Sequence, residues 1–514
     1  MLDDRRDPHL RDITADVDVE CDVCVIGSGA GGAVLAEGLV SRGLRVIMLE
    51  EGSHHTNADF DLQEGHAFPM LYQERGGRAT ADLAIAILQG RAVGGTTVIN
   101  WTTCYRTPDR ILEHWRSKHG IEGLDPQTLA PHFDAIEQRL NITEWPPEAM
   151  NANNRVLWDG CKKLGWEVTP LRRNVNGCAN SGYCGLGCPV NGKQSMLVTY
   201  VPDAVQQGLT LYANTRADRL EYQDQKIVAV HATVRDPADD QPNGRKITVR
   251  PKVVAVCGGA INSPALLLRS DISEGGVGRR TWLHPVVAII GFHEHDINGF
   301  YGAPQSVGSH QFIDRGPDKV GFFLETPPMQ PMLSSLAFTG FGAARHQVIS
   351  QLPRINTLIA LSVDGLLPGD EGGTVSLRSD GRVSIDYPVG PALQESFRES
   401  SKVMAEIALA AGATRASSLH LQPIPLKTKQ DIALLDAAPW GALEHPIFTA
   451  HQMGGCTMGV DPQTSVVDPT LRHHRYKNLF VVDGSVFPTA LGVNPSETIY
   501  GLAHWATDTV ASAI

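Results

Sequence analysis

The sequence predicts an α/β fold: a doubly wound, Rossmann-like domain carrying an inserted, mainly antiparallel sheet, α+β in overall texture. Three observations carry this. Cys21 to Gly27 is a short apolar run that enters Gly27-Ser28-Gly29-Ala30-Gly31-Gly32, then a segment with helical periodicity, then a second β-rich run ending at an acid, Glu50. Two further β-rich runs, Val253 to Cys257 and Asn478 to Val482, each lead into a glycine turn or a helix start far along the chain. Between roughly Val286 and Pro439 the texture changes to extended runs broken by Gly, Pro and Asp.

Taken in order, Ala33 to Arg42 places Val34, Leu35, Leu39 and Val40 near helical spacing and stops at Gly43, a residue suited to the left-handed position past a helix end. Gly27, Gly29 and Gly32 serve a tight turn, close approach of backbone to a pyrophosphate, and close helix–sheet packing, while the helix start offers free N–H groups to phosphate. Glu50 ends the Leu44 to Leu49 strand, where its carboxylate can accept ribose hydroxyls, which argues against a 2′-phosphate there. Gly258-Gly259 follows the third strand, and Asn262-Ser263-Pro264 opens the apolar helix Ala265 to Leu268. Asp236 to Arg245 reads as a polar hairpin loop. Thr357 to Val363, Thr374 to Leu377 and Val383 to Tyr387 read as strands of the inserted sheet. Asn494, Pro495 and Glu497 stand as Ncap, N1 and N3 of a terminal helix running to about Ala513. The expected division is 19–110, 190–285 and 440–514 for the dinucleotide domain, 111–189 for a cysteine-bearing excursion, and 286–439 for a substrate domain.

Composition narrows the function. With 44 Lys plus Arg against 56 Asp plus Glu the net charge is −12, and no basic block exists to neutralise phosphates, so nucleic-acid binding is set aside. Met1 to Asp12 is charged and contains proline, unlike a secretion signal, and no stretch reaches the ~18 apolar residues of a membrane span. A cytoplasmic protein is expected, with peripheral membrane association open. Nine cysteines in 514 residues are too sparse for a disulfide scaffold.

At Gly90-Arg91-Ala92-Val93-Gly94-Gly95-Thr96-Thr97, with Asn100 after it, the chain resembles the glucose–methanol–choline (GMC) family of FAD-dependent oxidoreductases, and within it the bacterial long-chain alcohol dehydrogenase/oxidase group. Four further blocks agree in order: Gly259-Ala260-Ile261-Asn262-Ser263-Pro264, Leu283-His284-Pro285, His451-Gln452-Met453-Gly454-Gly455-Cys456-Thr457-Met458-Gly459, and Val482-Asp483-Gly484-Ser485 leading to Asn494-Pro495-Ser496-Glu497-Thr498. The resemblance implies non-covalent FAD in the Gly27 turn with Glu50 on the adenosine ribose. It places Gly94, Gly95, Thr96 and Asn100 along the flavin, Asp483 at its ribityl or pyrophosphate portion, and Pro495 among the cofactor contacts. The order Gly454-Gly455-Cys456-Thr457 departs from the family's usual Gly-Thr, and the ending of the second signature is replaced around Ser270 to Gly278.

Oxidation of an alcohol by hydride transfer needs a base for the hydroxyl proton and a group that holds the oxygen. By the resemblance His451 is the base, a role suited to a neutral imidazole, and Asn494 is its partner. The terminal helix would point its positive end at the flavin. His284 reads as a packing residue. The implied reaction oxidises a primary, long-chain aliphatic alcohol to the aldehyde, with oxygen, a quinone or a redox protein as electron acceptor. The apolar, proline-interrupted stretch Gly321 to Phe341 is expected to be irregular, and either to line an access channel for a hydrophobic alcohol or to cover the core as an ordinary loop.

Cys178, Cys184 and Cys188 make a Cys-x5-Cys-x3-Cys run in a glycine-rich loop. Such a loop can wrap thiolates round one metal centre or carry free or paired thiols. Its spacing resembles the three-iron four-sulfur site of bacterial FAD glucose dehydrogenases, which implies a second reading: a sugar or polyol dehydrogenase passing electrons through a cluster to a redox partner. A third reading is a flavin-containing lyase of the same fold. Cys21 and Cys24 fall on a strand, with side chains turned to different sides, and carry no ligand role.

Overall fold

The computed structural model describes residues 13–514. The charged segment Met1 to Asp12 lies outside the described residues.

The first sheet has seven strands. Its centre is the strand Val17–Ile26, flanked in parallel by Val46–Leu49 on one side and by Pro242–Val256 on the other, with Val23 opposite both Val46 and Val253. Thr210–Tyr212 adds in parallel beyond Val46–Leu49. The long strand Pro242–Val256 uses its outer edge twice. Its first part pairs antiparallel with Lys226–Arg235, which in turn pairs with Thr215–Gln223. Its last residues, Val254 to Val256, take Leu479–Val481 in parallel. The apolar residues of the central strands are almost wholly removed from water, at roughly 1.5–3 kcal/mol for each fully buried large aliphatic side chain. The helix Ala30–Val40 begins immediately after the glycine turn, three residues earlier than the apolar spacing places it, and packs against the terminal helix Ser496–Ala511. The turn at Gly43 is left-handed, as expected.

The second sheet also has seven strands. Val286–Phe292 pairs antiparallel with Ile355–Ser362 and with Arg415–Ser418, and Phe322–Glu325 closes the far edge. Two strands from outside 286–439 join it: Ile447–Thr449 pairs at Val286, and Ile85–Ile87 runs parallel to Ile447–Thr449. The helix Pro391–Ala410 crosses this sheet and buries Leu393, Phe397, Met404 and Ile407. Thr374–Leu377 and Val383–Asp386 do not belong to the sheet. They form a separate hairpin packed on the helix Gly259–Arg269, because their apolar positions Val375 and Ile385 meet Ile261 and Ala265 there.

Gly321 to Phe341 also differs from expectation. Its prolines bound elements instead of dissolving them: Phe322–Glu325 is a buried strand ending before Pro327, and Pro331 occupies the first turn of the helix Pro331–Ala337, where its missing N–H costs nothing.

The glycine turn is held by backbone proximity. A Cβ at Gly32 would lie 1.9 Å from the Gly27 carbonyl oxygen and 3.1 Å from Cys257 Cβ, and one at Gly31 would lie 1.9 Å from the Val482 carbonyl oxygen. Gly32→Ala must therefore push the helix off the sheet, and we expect it to lower stability by about 1–3 kcal/mol, seen as a lower urea midpoint.

Candidate active site

The two sheets meet at one cleft, with a cavity volume of about 230 Å³. The first sheet supplies Ile26, Gly27, Gly29, Glu50 and Val256, and the second supplies Val286, Ile359, Leu361 and Phe448.

At the glycine turn, Glu50 is buried and its carboxylate is well used. Oε2 accepts from Ser28 N at 2.9 Å and Ser28 Oγ at 2.6 Å, and Oε1 accepts from Gly52 N at 2.7 Å. Burial pushes its carboxyl above the ordinary range against these donors. Ser28 Oγ accepts in turn from Gly94 N at 2.9 Å, so the turn, the end of the second strand and the Gly94 loop are one unit. Ser28 was not singled out in the sequence, because only the glycines around it carry the pattern. Gly94 and Gly95 both have positive φ, 95° and 56°, and a Cβ at Gly95 would meet Gly29 Cα at 2.7 Å. Gly95, Thr96 and Asn100 line the cleft, whereas Gly94 stands behind them on Ser28 and Gly32 behind Gly27. Asn100 Oδ1 is buried without a partner in the protein.

Asp483 lines the cleft too, yet both its oxygens are engaged: one accepts from Gly259 N and Ser263 Oγ, the other from Ser485 N and Ser485 Oγ. It ties together the helix start after Gly258 and the Gly484 turn. Pro495 and Ser496 also line the cleft, so the N-terminal end of the last helix faces it.

His451 and Asn494 come together, with Asn494 Nδ2 3.2 Å from His451 Nε2. Both line the cleft and both are buried. Asn494 does not cap the terminal helix. The helix starts at Ser496, Pro495 holds the cap position with no side-chain bond, and the Asn494 amide turns inward because it is drawn between His451 and Glu325. Glu497 likewise makes no capping bond, and burial beside Glu137 pushes its carboxyl up to about 8.

Three groups stand behind the pair; Glu325 and Gln305 carry no local sequence signal, whereas His284 lies in the Leu283-His284-Pro285 block. Glu325 is buried, lies 3.5 Å from Asn494 Nδ2, accepts from Gln305 Nε2, and is pushed up to about 8 by loss of water. Gln305 lines the cleft at a positive φ of 45° and accepts from Thr103 Oγ1. His284, expected only to pack, has its ring edge on Phe323 and its Nδ1 3.1 Å from His451 Nδ1. Burial holds His451 down at about 3 and His284 well below its ordinary value, so both are neutral at neutral pH.

The Gly321 to Phe341 stretch contributes no wall to the cleft. Phe322, Phe323, Leu324, Met329 and Phe338 are core, while Met332, Leu336 and Phe341 are exposed. The apolar wall is instead Leu88, Val286, Ile359, Leu361 and Phe448.

All nine cysteines are free. Cys178, Cys184 and Cys188 surround a small separate cavity, but among the described residues no group of three or more His, Cys, Asp or Glu side chains is arranged to hold a metal ion. Their sulfurs meet protein donors instead: Lys193 N reaches Cys188 Sγ at 3.4 Å and Arg173 Nη2 reaches Cys184 Sγ at 3.8 Å. The buried Lys193 ammonium donates to Cys184 O at 2.7 Å, Asn100 O at 3.0 Å and Val98 O. The loop is thus pinned to the back of the flavin-type loop by a lysine, and the iron–sulfur expectation is withdrawn.

Two profiles of the GMC oxidoreductase family match the chain, the N-terminal one over residues 68–286 and the C-terminal one over 368–503. The chain belongs to the GMC oxidoreductase family. This GMC oxidoreductase is 31% identical to the uncharacterized GMC-type oxidoreductase Rv0492c of Mycobacterium tuberculosis, over 96% of this chain and 76% of the relative. It is 30% identical to the long-chain-alcohol oxidase FAO4A of Arabidopsis thaliana, over 95% of this chain and 68% of that protein. Its fold is that of pyridoxine 4-oxidase from Mesorbium loti, at a TM-score of 0.71 and 20% identity over 96% of this chain and 98% of the other. A formate oxidase superposes at 0.72 with 15% identity, covering 97% and 99%. Among the described residues no helix is long and apolar enough to cross a membrane.

Two outcomes follow from this geometry. The nearest atom to a Cβ at Gly29 is Gly95 Cα at 3.8 Å, so Gly29→Ala should keep the unfolding free energy, measured in urea, within about 0.5 kcal/mol while the purified protein loses bound dinucleotide, read as cofactor per chain. Glu325 is the second. Its folded pKa of about 8 lies above the unfolded value, so the stability it contributes is full below about pH 4.5 and is lost as pH rises through 8. Glu325→Gln should flatten that part of the stability–pH curve, measured by urea unfolding between pH 5 and 9.

Proposed function

We propose that this GMC oxidoreductase binds FAD non-covalently and oxidises a primary, long-chain aliphatic alcohol to the aldehyde. The observation that carries the reading is the His451–Asn494 pair, buried at one wall of the cleft whose other end is the Gly27 turn and Glu50. The residues present suit the cofactor. Gly27 and Gly29 leave backbone open at a helix start for a pyrophosphate, Glu50 keeps lone pairs for ribose hydroxyls, and Asn100 Oδ1 is a buried acceptor awaiting a donor. FAD, when bound, supplies the hydride acceptor.

His451 and Asn494 hold the hydroxyl oxygen, and the start of the Ser496–Ala511 helix beside them favours negative charge developing there. Leu88, Val286, Ile359, Leu361 and Phe448 give an alkyl chain an apolar wall, each methylene worth ~0.8 kcal/mol when buried. Relatives named long-chain-alcohol oxidases, at 30% and 27% identity, support both the substrate class and oxygen as the acceptor.

Addition of 1-dodecanol to the air-free holoprotein should bleach the flavin absorbance, and readmitted oxygen should restore it with hydrogen peroxide formed. Failure of 1-dodecanol to bleach a flavin that glucose does bleach would overturn the substrate class, and a flavin that no alcohol or sugar bleaches would overturn the oxidation itself. His451→Ala and Asn494→Ala should each slow bleaching by about 10²-fold or more, with little change in bound FAD.

A further inference from the structure

Three of the nine cysteines stand apart from the rest. Cys21, Cys24, Cys104, Cys161, Cys257 and Cys456 are buried, and burial raises the thiol of each, which keeps those sulfurs protonated and inert. Cys178, Cys184 and Cys188 are only half-buried and line one cavity of about 20 Å³, room for little more than one water-sized molecule. They are close enough to feel one another: Cys178 is raised by burial and then by Cys184 and Cys188.

The charge beside them has one sign. Lys193 is buried, spends its ammonium hydrogens on Val98 O, Asn100 O and Cys184 O, and has Cys184, Cys188 and Arg173 as its neighbours in charge. Arg173 is buried as well. It lays its guanidinium 4.7 Å from the centre of the Trp145 ring, shares Nη2 between Trp101 O at 3.3 Å and Cys184 Sγ at 3.8 Å, and leaves Nε and Nη1 with no partner in the protein. So neither cation is met by a carboxylate. Two buried positive charges favour negative charge on what faces them, which here is sulfur, and the thiolate is the form of cysteine that attacks. Cys184 has both cations, Arg173 at its sulfur and Lys193 at its carbonyl.

We propose that this loop is a thiol site oxidised by hydrogen peroxide, in which Cys184 attacks first and then closes a disulfide with Cys178 or Cys188. In the first step the Cys184 thiolate forms an S–O bond, the O–O bond of peroxide breaks and hydroxide leaves, so sulfur is oxidised to a sulfenic acid as peroxide is reduced. In the second, the neighbouring sulfur attacks that of Cys184: an S–S bond forms, the S–O bond breaks, and the hydroxide that leaves takes the neighbour's proton to become water. The proton given up by Cys184 makes water of the first hydroxide. Hydrogen peroxide is what the oxygen-linked oxidation proposed above would produce; only that source of the oxidant rests on that reading.

The site backs onto the cleft. The Tyr72 hydroxyl donates to Gly185 O at 2.7 Å, a Cβ at Gly185 would lie 3.1 Å from the Trp101 indole nitrogen, and Lys193 holds Asn100 O at 3.0 Å. Tyr72, Trp101 and Asn100 all line the cleft, so a disulfide that pulls on the turn Cys184–Leu186 pulls on its wall.

The test gives hydrogen peroxide in modest excess to reduced holoprotein freed of reductant, then blocks remaining thiols with N-ethylmaleimide in denaturant and maps the peptides without reduction. We expect a disulfide joining Cys184 to Cys178 or Cys188, removed by dithiothreitol, with maleimide on the other six cysteines. Cys184→Ser should slow the loss of the loop's thiols by about tenfold or more, and serine, nearly the same size, gives up only the weak Arg173 contact. Maleimide on all three loop cysteines after peroxide overturns the proposal, as does oxidation spread evenly over all nine. Iron or zinc bound at one site per chain in the purified protein and lost in Cys184→Ser overturns it too. The visible flavin band should shift on oxidation and return with dithiothreitol; an unmoved band beside a formed disulfide overturns the link to the cleft. If the disulfide forms but no alcohol bleaches the flavin, the substrate reading fails and the thiol site stands.

Discussion

The cleft depends on two carboxylates taken out of water. Glu50 and Asp483 are both buried, and burial raises both, which measures how unfavourable their charge would be alone. Each is offset by backbone and hydroxyl donors that it gathers from separate parts of the chain: Ser28 and Gly52 for Glu50, and Gly259, Ser263 and Ser485 for Asp483. Hydrogen bonds to a charged acceptor are short and strong, and leaving any of these buried donors without one would cost more than the bond itself contributes. Through Ser28 the first hub reaches Gly94, and the second joins the helix after Gly258 to the Gly484 turn. The loops that bound the cleft are therefore fixed before any ligand arrives.

Those hubs also explain what could be read from the sequence. The Gly27 turn, Glu50 and the terminal strand and helix were legible because each is a local pattern, a few residues whose spacing alone imposes a turn, a cap or a close approach. His451 and Asn494 were legible only through blocks resembling a family, since a lone histidine and asparagine carry no geometry. Gln305, Glu325 and Asp364 were not legible at all. They are single polar residues within or beside apolar strands, and what they do is decided by strand pairing: Phe322–Glu325 registers with Ile355–Ser362 so that Glu325 stands opposite Ile359, whose side chain lines the cleft.

Two features stay open in the sequence for one cause, namely that composition shows which residues are present but not what they face. Prolines between Gly321 and Phe341 suggest irregular backbone, yet proline just past a strand's end or in a helix's first turn marks a boundary. Three cysteines in eleven residues leave a metal centre and free thiols both open, and the loop closes on Lys193, whose buried ammonium spends its hydrogens on three carbonyl oxygens. A lysine satisfied in this way has no spacing rule by which to find it.

The His451–Asn494 pair itself is assembled across the two sheets. His451 follows the second sheet's strand Ile447–Thr449, Asn494 precedes the helix Ser496–Ala511 that packs on Ala30–Val40, and the acids behind them, Glu325 and Asp364, belong to the second sheet's strand Phe322–Glu325 and to the turn after Ile355–Ser362. Burying those acids is unfavourable: loss of water pushes Asp364 up to about 6 and Glu325 up to about 8. Neither adds apolar packing, so their presence is explained by orientation, Asp364 acting through His284 on His451 and Glu325 acting on the Asn494 amide. The pair thus joins a segment that leaves the second sheet to one that leads into a helix packed on the first sheet's helix Ala30–Val40. The His451–Asn494 pair exists only where the two sheets are docked, at a cleft that Val286, Ile359 and Leu361 line from the second sheet.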